Sequence, residues 1–239
     1  LHNTNTPLLT SLLPQTHANA RSTLQTATRL AQLWALAAAL VVPLRARARQ
    51  TQRELWYRLK PLRLFGSPAV VDARLLDLCR MLTLVGGGSA CAREALGVIA
   101  APRGSMLGTL SLRLADGSHE PLHADAFAIP GDPLEVLRLR FTQSSARAIL
   151  VVEKDAVLRR LAEDGLLRRF PCVLLTSCGY PTLTARALLM HLAEQLRLPC
   201  FALTDWNPHG LAIMLTYQQG SASRELERYA CPNLCWLGL

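Results

Sequence analysis

Several features that would make a function easy to read are missing from these 239 residues. No internal repeat is evident, which excludes solenoid and propeller arrays. The glycine-rich stretch Gly86-Gly87-Gly88-Ser89-Ala90 has no Lys-Ser/Thr ending and no strand before it, so it reads as a loop and not as a nucleotide P-loop. Seven cysteines are scattered through the chain, several in apolar runs where a reduced thiol acts as a small hydrophobe. Their odd number points to a reducing compartment. Cys231 and Cys235 are closely spaced, but no second pair or suitably spaced His completes a zinc set. His119 and His123 flank an expected strand and read as solvated residues. No secretory signal is present. The apolar run Leu30 to Leu44 is too short to span a bilayer, contains Gln32 and leads into Arg45, Arg47 and Arg49. It reads as a buried helix, and no membrane partner is expected. The chain starts at Leu1 and stops at Leu239 in mid-pattern, as a fragment would.

Acidic side chains are also in deficit, with 17 Asp and Glu against 26 Lys and Arg and a net charge of +9. Most of the excess is arginine, whose planar fork suits phosphate oxygens. Nucleic acid is the partner this suggests; a generic basic surface from an arginine-rich composition is the bland alternative. With 50% hydrophobic residues the chain can bury a real core, in one large or two small domains.

Residues 1–21 have no periodicity and read as a loose arm. A first helix is expected from Ser22 to Val42. Thr51-Gln52-Arg53-Glu54 has the form of a capping box, in which Thr51 caps the amide of Glu54 and Glu54 reaches back. That starts a short helix carrying Leu55, Trp56 and Tyr57. Ser67-Pro68 opens a third helix with Val71, Leu75, Leu78 and Leu82 as its buried stripe. A fourth is expected over Ala92 to Ile99. Thr109 to Leu114 alternates, meets an Asp-Gly turn and returns through His119 to Ala124, as a hairpin does. Helices followed by a hairpin make a winged helix-turn-helix (CAP-like) domain, placed over 22–130, with Ile129-Pro130-Gly131-Asp132-Pro133 as the linker. From 131 to 239 the pattern is strand 149–153, helix 155–168, strand 172–176, helix 182–197, strand 200–205 and helix 208–218. Strands alternating with helices imply a mainly parallel sheet.

Two of those strands end in acids, Glu153 and Asp205. Ligands in open α/β sheets gather at the carboxyl ends of parallel strands, and hard divalent cations take oxygen donors, so the pair suggests a Mg2+ site. The competing reading makes Asp205 the cap of the helix that follows. Tyr57, beside Trp56 and flanked by Arg53, Arg58 and Lys60, reads from spacing alone as a packing residue.

Arg53-Glu54-Leu55-Trp56-Tyr57, Leu64-Phe65-Gly66-Ser67 and Val70-Val71-Asp72 resemble, in order, a motif series of the meiotic DNA double-strand-break transesterases, eukaryotic relatives of the topoisomerase VI A-type chain. Val152-Glu153-Lys154-Asp155, Gly179-Tyr180-Pro181, Thr184-Ala185-Arg186, Asp205-Trp206-Asn207-Pro208-His209-Gly210, Tyr217, Gly220-Ser221 and Trp236-Leu237-Gly238-Leu239 resemble the same family's Toprim half. The resemblance covers roughly residues 25 to 239. Asp205-Trp206-Asn207-Pro208 and Arg228-Tyr229-Ala230-Cys231 look most like the family's second plant-type branch.

The resemblance implies an α+β protein with a winged-helix domain followed by an α/β Toprim domain. It implies an ATP-hydrolysing type IIB topoisomerase class, with Tyr57 attacking a phosphodiester to leave a 5′-phosphotyrosyl link and Arg53 stabilising the phenolate. Glu153, Asp205 and Asn207 match its Mg2+ site. Arg58, Lys60 and Arg103 are assigned to DNA. Double-stranded DNA, a homodimer or a heterodimer with a paralogue, a topoisomerase VI B-like partner and the nucleus complete the expectation.

Where many relatives have Asp-x-Asp the chain has Asp205-x-Asn207, one negative charge fewer. Gly-Lys-Gly is replaced by Ser177-Cys178-Gly179, an acid by Thr182, and Ser-Lys-Gly by Pro102-Arg103-Gly104. Two other readings therefore stand beside the first: a weakly active or inactive DNA-binding scaffold, and the A-type chain of a topoisomerase VI whose ATPase is a separate chain.

Overall fold

The computed structural model describes residues 12–87, 90–114, 116–122, 125–142, 144–220 and 229–238, of which 12–21 are described by backbone alone. Gly88, Ser89, His123, Ala124, Ser221, Arg228, Leu239 and the first eleven residues of the expected arm lie outside the described residues. The chain divides into two compact units between Ile99 and Ala100.

In the first unit, helix α1 (Leu12–Arg45) starts ten residues before the expected Ser22, inside the stretch expected as an arm. Leu36 and Leu40 on it are buried, and Gln32 Nε2 donates to Leu64 O at 2.8 Å. Over Ser22–Arg45 the helix is long and apolar enough to cross a membrane by length and composition alone. The run Leu30 to Leu44 understates it, because the helix continues through the polar positions upstream. Strand β1 (Gln50–Thr51) leads into α2 (Gln52–Leu59), where the capping box forms: Glu54 N donates to Thr51 Oγ1 at 3.2 Å and Thr51 N to Glu54 Oε2 at 2.6 Å. Leu55 and Leu59 anchor α2 in the core, each burial contributing about 2 kcal/mol. Helix α3 (Pro68–Val85) begins with Pro68 after Ser67, although the Ser67 side chain makes no capping bond. Its buried positions are Val71, Leu75 and Cys79, spaced by four; Leu82 is 39% exposed, so the stripe turns away before the expected end. Instead of a fourth α-helix, Arg93–Leu96 forms one 3-10 turn ending at Gly97, and β2 (Val98–Ile99) pairs in parallel with β1.

The second unit is built on a sheet in the order β11-β10-β8-β9-β3-β6. Its strands are β3 (Ser105–Gly108), β6 (Phe127–Ala128), β8 (Ile149–Val152), β9 (Val173–Thr176), β10 (Cys200–Thr204) and β11 (Leu234–Gly238). The β11-β10-β8-β9 part is parallel, and β3 pairs antiparallel with both β9 and β6. The hairpin exists, as β4 (Ser111–Arg113) and β5 (His119–Pro121). It lies in this unit, where β4 also pairs with β7 (Phe141–Thr142), and not among the helices of the first.

The expected linker is likewise interior. Ile129 and Asp132 are 0% exposed, and Asp132 Oδ1 accepts Leu134 N to cap helix α4 (Pro133–Arg138). The Pro/Gly-rich composition marks a tight buried turn here and not a domain boundary. The helix expected over 155–168 is two, α5 (Asp155–Glu163) and α6 (Leu166–Arg169), because Gly165 takes a left-handed φ of 78° between them. Helix α7 (Leu183–Leu196), capped by Thr182, is buried from Leu183 through Leu189 and again at His191 and Leu192, and α8 (Pro208–Gln219) follows β10. Strands and helices from 149 to 219 otherwise fall where periodicity places them.

Candidate active site

In the first unit Tyr57 lies on α2, one position past Trp56. Leu55 and Leu59 face inward, so the helix turns Tyr57 outward and leaves it 49% exposed. Arg53, one turn earlier, donates from Nη2 to Tyr57 Oη at 3.4 Å, with its guanidinium carbon 5.8 Å from the ring centroid. That hydrogen bond, then the charge behind it, holds the phenol below its usual pKa, with a smaller pull from Lys60. The same contact holds Arg53 more firmly protonated. A phenolate is thus stabilised where it meets solvent, which is what a nucleophilic tyrosine requires. Lys60 Nζ sits 5.1 Å from the Trp56 ring centroid. Arg58, expected at DNA, is exposed and also bonds within the unit. Its guanidinium donates to Gln50 Oε1 at 2.8 Å and Ala39 O at 3.3 Å, tying α2 to β1 and α1.

In the second unit Glu153 and Asp205 follow β8 and β10, which are adjacent parallel strands in register at Val152↔Leu203. They meet: Asp205 N donates to Glu153 Oε2 at 3.0 Å, and Glu153 N to Leu203 O at 3.1 Å. Asp205 does not cap α8. Asn207 does, its Oδ1 accepting Gly210 N at 2.9 Å. Lys154, given no role from sequence, donates to both Asp205 carboxylate oxygens at 2.8 and 2.7 Å. Hydrogen bonding to Asp205 raises its pKa, and the charges of Asp205 and Glu153 add to the effect.

The turn 177–181 closes over the same strand ends. Gly179 N donates to Glu153 O at 2.8 Å, reached because Cys178 and Gly179 both take left-handed backbone, at φ 55° and 102°. Tyr180 Oη and His209 Nδ1 share a 3.1 Å hydrogen bond, a pair whose members both lie in motifs but carry no role from sequence. Arg103 donates to Tyr180 O, so one of its donors steadies this turn. Arg103 is expected at DNA from its motif, whereas Lys154 could be suspected from sequence only as a basic neighbour of Glu153.

Among the described residues no group of three or more His, Cys, Asp or Glu could hold a metal ion. The donor set that exists is two carboxylates on adjacent strand ends. That fits Mg2+, which needs one or two carboxylates and keeps several waters, provided Lys154 yields its place on Asp205. Asn207 offers at most the second lone pair of an oxygen already used by Gly210.

Residues 28–98 match a family model described as type IIB DNA topoisomerase, and residues 148–239 one described as the Toprim domain of topoisomerase 6 A-type chains and Spo11. The chain belongs to the topoisomerase VI A/Spo11 family. It is 42% identical over 197 residues to meiotic recombination protein SPO11-2 of Oryza sativa subsp. indica, covering 79% of this chain and 49% of that protein. To SPO11-2 of Arabidopsis thaliana it is 38% identical, over 80% of this chain and 50% of the relative. The A-type chain of DNA topoisomerase 6 from Arabidopsis thaliana is 34% identical, over 79% and 42%. The chain thus spans about half the length of these relatives. The matched stretches include Tyr57 in one unit and Glu153 and Asp205 in the other.

Proposed function

We propose that the chain is part of a DNA-cleaving transesterase of the type IIB kind, which breaks duplex DNA to initiate meiotic recombination in the nucleus. The observation that carries the reading is Tyr57 itself: a half-exposed phenol, paired to Arg53, on the helix where the family motif expects the nucleophile. Tyr57 Oη attacks the phosphorus, an O–P bond to the tyrosine forms, and the bond from phosphorus to the 3′ oxygen breaks. The phenolic proton leaves to solvent and the 3′ oxygen takes one up, so a 5′-phosphotyrosyl link and a 3′-OH result. Arg53 holds the phenolate and Lys60 adds positive charge beside it.

Glu153 and Asp205 would hold Mg2+, and the ion when bound would neutralise phosphate charge at the strand being cut. Lys154 holds Asp205 in place through both carboxylate oxygens, and the 177–181 turn fixes Glu153 through its backbone. The winged-helix character of the first unit rests on α1 to α3 and the family match, since the hairpin lies elsewhere. Type IIB cleavage is supported without ATP hydrolysis, because the matches are to domains of the A-type chain. Dimerisation, and a B-type ATPase partner for any strand passage, follow from the same relationship.

A second reading has its own observation. Asn207 spends its oxygen on a helix cap and Cys178 stands in the place of a lysine, which favours a weakly active paralogue that acts with another protein chain. The deciding experiment denatures protein incubated with DNA and Mg2+ and recovers covalently attached DNA. Wild type is expected to yield adduct and Tyr57→Phe none at unchanged DNA affinity; adduct from Tyr57→Phe at the wild-type level removes Tyr57 from the mechanism.

A further inference from the structure

Between Asp205 and Asn207 the chain exposes Trp206, 69% open to solvent. Such a ring at the mouth of a polar site is usually mobile or covered; this one is fixed. Its face lies on Trp236, with ring centroids 4.4 Å apart and planes within 4°. Trp236 is itself locked, its indole N–H donating to Thr204 Oγ1 at 2.6 Å, and Thr204 is buried. The parallel pairing of β10 with β11 brings Trp236 and Gly238 opposite Ala202 and Thr204, directly beneath the loop. Any side chain at 238 would run into the Trp206 ring, so only a glycine there leaves room for the stack. Three separate features thus hold one indole flat and exposed beside the acid pair.

We propose that Trp206 is a stacking platform for an unpaired nucleobase of the DNA strand lying at the Glu153–Asp205 site. This deepens the DNA-cleaving reading and rests on it. A nucleobase is the occupant that the chemistry favours: it is flat and uncharged, so the carboxylates of Asp205 and Glu153 do not repel it as they would a phosphate. It also presents a π-face that any sequence offers, so stacking adds affinity without sequence preference. The rigid Trp236 support means that little ordering is lost when the base arrives. In intact duplex every base is stacked on its neighbours. An unpaired base becomes available where the strand opens, at a cut end, an overhang or a gap.

The test measures binding by fluorescence anisotropy, using the full chain and three labelled DNAs: a blunt duplex, the same duplex with a short thymidine overhang, and one with an abasic overhang of equal length. Wild type is expected to bind the thymidine overhang about tenfold more tightly than the abasic one, the scale of one base–aromatic stack. Trp206→Ala should abolish that preference and leave blunt-duplex affinity unchanged, and Trp206→Phe should retain part of it. Equal wild-type affinity for thymidine and abasic overhangs overturns the proposal. So does a Trp206→Ala loss that is the same on all three DNAs, or no loss on any, the latter being the result if the indole serves a protein partner. Failure to bind any of the DNAs would remove the DNA reading itself, whereas duplex binding without base preference removes the stacking platform alone. Thermal unfolding of Trp206→Phe checks that the β10–β11 edge remains folded.

Discussion

Asn207 can be separated into its two possible roles by exchanging it for Ala and for Asp. In the structure its Oδ1 accepts Gly210 N at 2.9 Å at the N-terminus of α8, a helix whose Ile213, Met214 and Tyr217 are buried. Asn207→Ala removes the cap and should cost about 1 kcal/mol. For a unit of this size that lowers Tm by about 2–4 °C. Asn207→Asp keeps an acceptor in the same place. The added negative charge gains about 0.3–1 kcal/mol from the helix N-terminus, set against repulsion from Asp205 and Glu153. Without metal the Asp variant should therefore melt close to wild type.

With Mg2+ the outcomes diverge. A ligand that binds only the folded state stabilises by RT ln(1 + [L]/Kd), about 2.7 kcal/mol at one hundred times Kd. The added carboxylate should lower Kd, so the Mg2+-dependent rise in Tm should be larger for Asn207→Asp than for wild type. Thermal melts of the three proteins across a Mg2+ titration measure both effects. If Asn207→Ala melts with wild type, or Asn207→Asp melts as low as Asn207→Ala without metal, the capping argument is wrong. If the Mg2+ response of Asn207→Asp equals that of wild type, residue 207 has no part in metal binding.

Other substitutions test the remaining assignments. Arg53 holds the Tyr57 phenol below its usual pKa, so Arg53→Ala should move the rise of adduct formation to higher pH, with partial recovery in Arg53→Lys; an unmoved pH profile would refute the pairing. Thr51→Ala should destabilise the first unit by about 1 kcal/mol, read by denaturant melts. Its partner Glu54 has a folded pKa below its unfolded one. The stability it adds is therefore present above the unfolded value and is lost as pH falls through the folded one, a loss that Glu54→Gln should abolish in melts followed down the acid range. Lys60→Ala should flatten the log–log salt dependence of DNA binding by about one unit, whereas Arg58→Ala should leave that slope alone and lower stability, since Arg58 is committed to Gln50 and Ala39. Glu153→Gln and Asp205→Asn should each suppress adduct formation and weaken the Mg2+ response; normal cleavage by Asp205→Asn would end the metal assignment.

The second unit is legible from periodicity because its buried strands are short apolar runs, such as Ile149–Val152 and Val173–Thr176, separated by amphipathic helices. The capping box at Thr51 is legible for a local reason, since both partners lie within four residues. What periodicity does not carry is assignment between units. The hairpin β4–β5 has the same local signal wherever it packs, and its pairing with β7 and the burial of Leu112 and Leu122 in the second unit's core place it there. Ile129 to Pro133 misleads in the same way, because Pro and Gly mark a turn and do not say whether the turn is buried. The site is legible as residues but not as contacts. Glu153 and Asp205 follow from strand ends, whereas the exchange of roles between Asp205 and Asn207 depends on which oxygen reaches Gly210 N, a difference of two positions along one loop.

Lys154 supplies a positive charge to the acid pair from within the chain. Two carboxylates on adjacent strand ends repel, and a fold that relied on a metal to bring them together would lose its site whenever the metal left. Here Glu153 is held by main chain on both sides, its own carbonyl accepting Gly179 N and its carboxylate accepting Asp205 N. The residue after it supplies the ammonium that sits on both oxygens of Asp205. The counter-charge is therefore encoded one position from Glu153, on the same turn, and reaches Asp205 whenever β8 pairs with β10. On the proposed metal reading, a divalent ion would therefore bind by exchange with a side chain and not by assembling the site. Removing Lys154 should accordingly strengthen Mg2+ binding while loosening the metal-free loop, two effects of opposite sign that a purely structural salt bridge would not produce together.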